Sequence, residues 1–345
     1  MKNTIIAILG TITAAAAIFC YNIYVRDYQA NTIENDAVIY IYRHTDYEGL
    51  IDSVKNAGIL KNEKSFERSA KHAGLDTIFK PGRYVIASGL NNKGLVRTFA
   101  RGWQTPVKLV MQGYIRNSEK MASFLSKKLE ADSLDFIRAM QDTALMHELG
   151  FKKETYLSIF IPNTYEVYWT VTPNEFLQRM KKEYDNFWNE SRLAKAKEIG
   201  LTQDEVHTLA SIVIEETKYQ PEMATVAGVY INRLKIGMKL QADPTVKFAL
   251  NAEGITRVLN KHLEVDSPYN TYKYEGLPPG PITIAPIQAI DAVLNYKRHN
   301  YLYFCAKETF DGQHRFASSY AEHLLNARAY QRALSTIERS KPLSD

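Results

Sequence analysis

The chain has 345 residues, room for about two domains, and its 45% hydrophobic and 23% charged residues are those of a globular protein rather than a disordered one. Its net charge of +5 is spread without any long Lys/Arg block, which excludes a nucleic-acid footprint, so no nucleic-acid partner is expected. Two cysteines, Cys20 and Cys305, exclude a disulfide framework, and scattered histidines without an HExxH motif or paired Cys ligands give no reason to expect a metal or other cofactor.

The first element is apolar. Residues Thr4 to Val25 carry no charge, and at 1.5 Å per residue they span about 33 Å, enough for a bilayer core. Tyr21 and Tyr24 lie at the far end as interface anchors, followed by Arg26 and Asp27. A cleaved signal peptide is the competing reading, but no clear small-x-small site stands near Phe19-Cys20. The expectation is an uncleaved single-pass anchor over residues 1–26. Lys2 and the terminal amine, against the neutral Arg26-Asp27 pair, put the N-terminus inside and the bulk of the chain outside the plasma membrane.

From Ala37 the run VIYIY reads as a strand. Residues 46–60 have a helical period with Asp46 as N-cap and Gly58 near the end, and 63–73 form a second helix closing at Ala73-Gly74. Pro81-Gly82 turns the chain into another short strand, and 92–101 can form one more helix. Strand, helix, helix, strand over 36–103 makes a small α+β module. In architecture it resembles LysM-like modules, which bind glycan chains; a spacer that holds the rest of the chain off a membrane is the other reading.

A strand at 106–111 opens the larger part of the chain, and 117–146 is helix-rich and amphipathic. Pro162 argues against a central strand through the apolar, aromatic segment 158–172. A long charged helix is expected from Thr172-Pro173 to about Ala196, and Thr202 with Glu205 makes a capping box that opens the next helix. Pro221 delays the helix over about 222–235, which closes near Gly237. Residues 267–286, dense in Pro, Gly and Tyr, read as an ordered loop. A helix over 286–295 follows, then two strands around Asp311-Gly312, then a last helix over about 319–338. With 22 Tyr against 3 Trp, the aromatic share favours hydrogen-bonding rings that suit carbohydrate or other interfaces.

The helix opened by Thr202 carries the chemistry. Leu209, Ile212, Val213 and Glu216 fall at i, i+3, i+4 and i+7 and share one apolar face, whereas Glu215 shares a face with the polar Thr208 and Ser211. The pattern therefore aims Glu216 at the core and Glu215 at water. A carboxyl on an apolar face should have a raised pKa, the state a general acid needs near neutral pH. A helix-end glutamate bending out to solvent is the bland alternative, left open by the pattern.

The runs LASIVIEET, VAGVYINRLKIGMKLQADPTV and SPYNTYKYEGLPPGPI, with FIPNTYEVY at 160–168, closely resemble the YceG-like endolytic murein transglycosylases, the MltG family. The resemblance covers nearly the whole chain and is strongest over about 155–320. It implies an α+β protein with a transmembrane helix, the LysM-like module and a larger α+β catalytic domain over 104–340. It also implies cleavage of the MurNAc-β-1,4-GlcNAc bond in nascent peptidoglycan strands to leave 1,6-anhydro-muramyl ends, terminating strand growth near peptidoglycan synthases or other elongation and division proteins. The family's catalytic glutamate, the one directly before Thr, falls on Glu216. The chain departs from the family pattern at Ile214, often Glu; at Glu215, often Lys; and at Asn163, often Asp.

A single carboxyl suffices for such a reaction, because the sugar's own C6 hydroxyl attacks and no second carboxylate is required, unlike the paired carboxyls of hydrolases. The resemblance and the sequence supply substrate-binding candidates: Gln241 and Asp243 in LQADPT, the loop residues Tyr269, Asn270, Thr271 and Tyr272, and Asn232, with Arg233 either reaching the cleft or lying on the helix surface. Gly276, Pro278, Pro279 and Gly280 are expected to shape the loop. A residue that only turns the chain before Pro244 is the other reading of Asp243. Two other functions stay open at this point: a muramidase-type hydrolase using Glu216 with Asp243, and a non-catalytic peptidoglycan-binding scaffold.

Overall fold

The computed structural model describes residues 2–33, 35–251 and 257–340. Part of the mixed segment between Asn251 and Tyr269 therefore lies outside the described residues. The chain divides into two compact units, one formed by its first 109 residues with 126–132 and 165–172, the other by 110–125, 133–164 and the residues from Pro173 onward.

The first unit begins with helix α1 (Lys2–Ile23), long and apolar enough to cross a membrane by length and composition, and continues as a π-helical turn over Tyr24–Tyr28. Strand β1 (Ala37–Ile41) sends Ile39 and Ile41 inward and Val38 and Tyr40 outward, the alternation a half-buried strand requires. Helices α2 (Tyr47–Asn56), α3 (Glu63–His72) and the short α4 (Leu75–Ile78) lead to β2 (Gly82–Ile86), which pairs antiparallel with β1 in the register Ile39 to Tyr84. Helix α5 (Asn92–Arg101) completes the unit's core, where Leu50, Val54, Phe66, Leu75, Tyr84, Leu95 and Phe99 pack together. The expected caps form: Asp46 accepts the Gly49 N–H at 2.9 Å, and Asn62 and Asn91 do the same for α3 and α5. The expected strand, helix, helix, strand order is adopted with one addition, the short α4 before β2.

Strand β3 (Val107–Val110) pairs with β4 (Thr164–Val167), so a short strand does form, but only beyond Pro162. Helices α6 (Ser118–Ser126), α7 (Ser133–Gln141) and α8 (Thr143–Glu148) fill the helix-rich stretch. The single charged helix expected to about Ala196 is two: α9 (Pro173–Phe187) and α10 (Glu190–Ile199). The break has a local cause. Trp188 is buried, its indole N–H donating to His207 Nε2 at 3.2 Å, and Asn189 caps the new helix by accepting the Arg192 N–H.

Helix α11 (Gln203–Glu216) opens with the expected capping box, Thr202 and Glu205 each satisfying the other's backbone N–H. Every residue from Val206 to Ile214 is buried, Thr208 and Ser211 included. The helix is thus enclosed on all sides, by α10, α12 (Gln220–Lys235), α13 (Asp243–Ala249) and α14 (Ile287–Leu294). Pro221 sits in the first turn of α12, where its missing N–H costs nothing. Strands β5 (Tyr303–Ala306) and β6 (His314–Ala317) pair antiparallel around Asp311-Gly312, as expected, and α15 (Tyr320–Ser340) ends the described chain.

Candidate active site

Helix α11 ends at Glu216, and the chain leaves it in extended conformation at Thr217, so the carboxyl stands on the last turn of an otherwise enclosed helix. Its surroundings are apolar enough that burial is the largest influence on its pKa, pushed up to about 7. Tyr230 of α12 donates its hydroxyl to Glu216 Oε1 at 3.0 Å, which favours the charged form and limits the rise. The Asp243 carboxylate raises the value further, and the Lys247 and Arg233 cations pull it back. A carboxyl whose pKa is raised into the neutral range can give a proton and take it back.

Glu215 departs from expectation. Its side chain is 16% exposed and pairs with Arg116, Nη2 to Oε2 at 2.7 Å. The polar face assigned to it is polar but not wet: Ser211 Oγ donates to the Thr208 carbonyl and accepts the Ile282 N–H at 3.0 Å. The Ser211 hydroxyl thus ties the loop after Gly280 to α11, and the Thr208 hydroxyl donates to the Asp204 carbonyl instead of facing solvent.

The two blocks carrying the other candidates are stitched together. Gln241 N–H donates to the Thr271 carbonyl at 3.0 Å, Ala242 N–H to Thr271 Oγ1 at 2.9 Å, and the Thr245 and Thr271 hydroxyls share a bond of 2.9 Å. Gln241 holds φ +50° with its side chain exposed. Asp243 is exposed in the first turn of α13, and Tyr272 donates its hydroxyl to Asp243 Oδ1 at 2.6 Å. Burial and the adjacent carboxylates raise the Tyr272 pKa, so the phenol stays a donor. Tyr269 packs on Phe248, ring centroids 4.7 Å apart, and burial pushes its pKa up to about 12.

The remaining candidates support this frame from within. Asn270 is fully buried, its amide donating to the Leu263 and Val265 carbonyls, and Thr271 is 2% exposed. Asn232 donates to the His299 and Tyr301 carbonyls at 2.7 and 3.0 Å. Arg233 is 7% exposed and belongs to no helix surface: it donates to the Leu302 and Leu240 carbonyls, both at 2.6 Å. Gly280 shapes the loop as expected, because a Cβ there would overlap the Glu154 carbonyl. Tyr230 was not singled out from the sequence. The signal was available in retrospect: a phenol on a buried helix needs a partner for its hydroxyl. Among the described residues, no group of three or more His, Cys, Asp or Glu side chains is placed to hold a metal ion.

Comparison with known proteins places the chain. The YceG-like family model matches residues 39–329. A Bacillus subtilis protein named endolytic murein transglycosylase is 28% identical over 287 residues, covering 78% of each chain. A Streptococcus pneumoniae protein of the same name is 26% identical over 79% of this chain, which spans 54% of that longer relative. A crystal structure of a yceG-like protein from Listeria monocytogenes superimposes with a TM-score of 0.56 at 25% identity, covering 85% of this chain and 99% of that one.

Proposed function

This chain belongs to the YceG-like family, and from that membership we propose that it is a membrane-anchored endolytic peptidoglycan lytic transglycosylase with Glu216 as its acid and base. The observation that carries the assignment is the desolvated Glu216 carboxyl, poised near pH 7 with its Oε1 accepting the Tyr230 hydroxyl. With Oε1 accepting from Tyr230, the acidic proton rides on Oε2. It passes to the glycosidic oxygen between N-acetylmuramic acid and N-acetylglucosamine as that bond breaks. The carboxylate left behind then takes the proton of the C6 hydroxyl while that oxygen closes on the anomeric carbon. Atoms balance without water, and the product carries a 1,6-anhydro end. Proton transfer by one positioned carboxyl is worth about 10²–10⁴-fold, the remainder coming from positioning and charge stabilisation.

Gln241, Asp243, Tyr269 and Tyr272 are the side chains we assign to sugar contacts, since of the candidates in the loop and around α13 they retain exposure. Asn232, Asn270 and Thr271 act on substrate only through the backbone they hold. In this reading α1 is an uncleaved anchor with the catalytic unit outside the plasma membrane, near the peptidoglycan synthesis machinery. The small module is LysM-like and binds glycan; its strand, helix, helix, strand order supports that reading.

Purified peptidoglycan digested with the full-length protein should release muropeptides with anhydro ends by mass spectrometry, and Glu216→Gln should release none. Reducing ends would assign a muramidase-type hydrolysis instead, and glycan binding without fragments a scaffold.

A further inference from the structure

The junction of α1 with the small module is built, not loose. Asn92 Nδ2 donates to the Arg26 carbonyl at 2.6 Å, Ser69 Oγ to Asp27 Oδ1 at 2.8 Å, and the Lys93 ammonium lies 4.4 Å over the Tyr28 ring. The helix therefore enters the module without a flexible linker, and α3 is held at a set height along it. Between them lies a cleft of about 610 Å³, within the range of ligand pockets. One wall is the outer end of the apolar helix, with Phe19, Ile23 and Val25; the other is α3, with Ser65, Arg68, Lys71 and His72.

The charge on α3 is patterned. Lys64, Arg68 and Lys71 fall at i, i+4 and i+7, one face of the helix, and all three are exposed. Two neighbouring carboxylates are already engaged, Asp27 by Arg26 and Ser69 and Glu67 by Lys55, while Glu63 stands in the first turn of α3. Arg68 spends only its Nε on the Lys64 carbonyl, which leaves the rest of the guanidinium to a ligand. An apolar span of Thr4 to Val25 puts Asn22 to Val25 at the membrane interface, so Arg68 and Lys71 stand at headgroup depth while Phe19 lies among acyl chains.

We propose that this cleft binds an anionic phospholipid of the membrane that α1 spans, its phosphate held by Arg68 and Lys71 and its acyl chains lying along Phe19 and Ile23. The proposal rests on the reading of α1 as an anchor and adds to it a lipid-specific seat that fixes the height of the module over the bilayer. Two cations beside an anionic headgroup correspond to a preference of roughly 10- to 30-fold over a zwitterionic one.

The test is native mass spectrometry of the full-length protein in non-ionic detergent, titrated with dioctanoyl-phosphatidylglycerol or dioctanoyl-phosphatidylcholine. One phosphatidylglycerol should be retained at least about tenfold more tightly than phosphatidylcholine. Arg68→Glu with Lys71→Glu should remove the preference, whereas reversing Lys127 and Lys128, exposed elsewhere, should leave it. If charge reversal unfolds the module, Arg68→Gln with Lys71→Gln serves the same purpose. Equal binding of the two lipids, or a preference that survives both double variants, would overturn the proposal. Displacement by millimolar inorganic phosphate as readily as by lipid would mark a free-anion site and overturn it too. Carbonate washing of phosphatidylcholine vesicles holding the protein reads the anchor separately. Extraction of the wild-type chain would sink the anchor, while retention of wild type and variants alike leaves the lipid preference as the only quantity in question.

Discussion

Glu216→Gln should act in opposite directions on catalysis and on stability. The wild-type carboxyl has its pKa pushed up from 4.5 to about 7, chiefly by burial. Taken as a difference in proton affinity between folded and unfolded chains, that rise corresponds to a ceiling of about 3.4 kcal/mol. The sign follows from the raised value. Below the unfolded pKa both states are protonated and nothing is lost; as pH climbs toward 7, the unfolded chain ionises first and the wild type loses stability. Above 7 the full cost applies. Gln cannot ionise and can still accept the Tyr230 hydroxyl, so it escapes this loss. Because Glu216 keeps some solvent exposure, a realistic gain is about 2 kcal/mol, or roughly 4–8 °C in the melting of the unit that holds it. Scanning calorimetry of the full-length protein in non-ionic detergent, at about pH 4.5 and about pH 8.5, reads the difference. The variant should match wild type at the lower pH, melt several degrees later at the higher one, and release no anhydro-muropeptides at either. A variant that is destabilised equally at both pH values would refute the claim that a desolvated carboxyl occupies this position.

Tyr230→Phe removes a bond that favours the carboxylate, so the Glu216 pKa should rise and the alkaline limb of the pH–rate profile move up by about half to one unit. Asp243→Asn removes a negative charge, lowers the Glu216 pKa and moves that limb down while anhydro products persist; complete inactivity would instead make Asp243 the second carboxylate of a hydrolase. Glu215→Gln breaks the half-buried pair with Arg116, costing about 1 kcal/mol in a denaturant titration, with turnover kept within a few-fold. Gly280→Ala should cost about 3 kcal/mol or more, read as a lowered melting temperature, because the added methyl overlaps backbone that cannot rotate away.

Local signals with their own chemistry were legible in the sequence. Thr202 and Glu205 opened α11, Pro221 marked the start of α12, and Asp311-Gly312 turned β5 into β6. What failed depended on tertiary partners. Helix α13 was hidden because its cap position is Ala242, with no side chain to accept a bond, and its Asp243-Pro244 opening reads equally as a turn. The break at Asn189 was hidden because Trp188 is anchored by His207, nineteen positions on in sequence, and no periodicity reports that. Periodicity sent Glu216 to the core and Glu215 to water, whereas the structure leaves both half-buried. Polarity and exposure diverge on a helix enclosed by other helices, where Thr208 and Ser211 find protein partners for their hydroxyls. Tyr230 and Glu216 lie on separate helices, and only their packing joins them.

The enclosure of α11 has a kinetic side. Amide protons in a helix buried from Val206 to Ile214 should exchange with solvent only through opening of the whole unit, on the slowest timescale the protein shows. If Glu216 is the proton donor, as proposed, its backbone is held by the enclosed turns that precede it. In that reading, adjustment to a passing glycan strand falls to the strand and to the half-buried Tyr269 and Tyr272 beside α13, more than to the backbone that carries the acid.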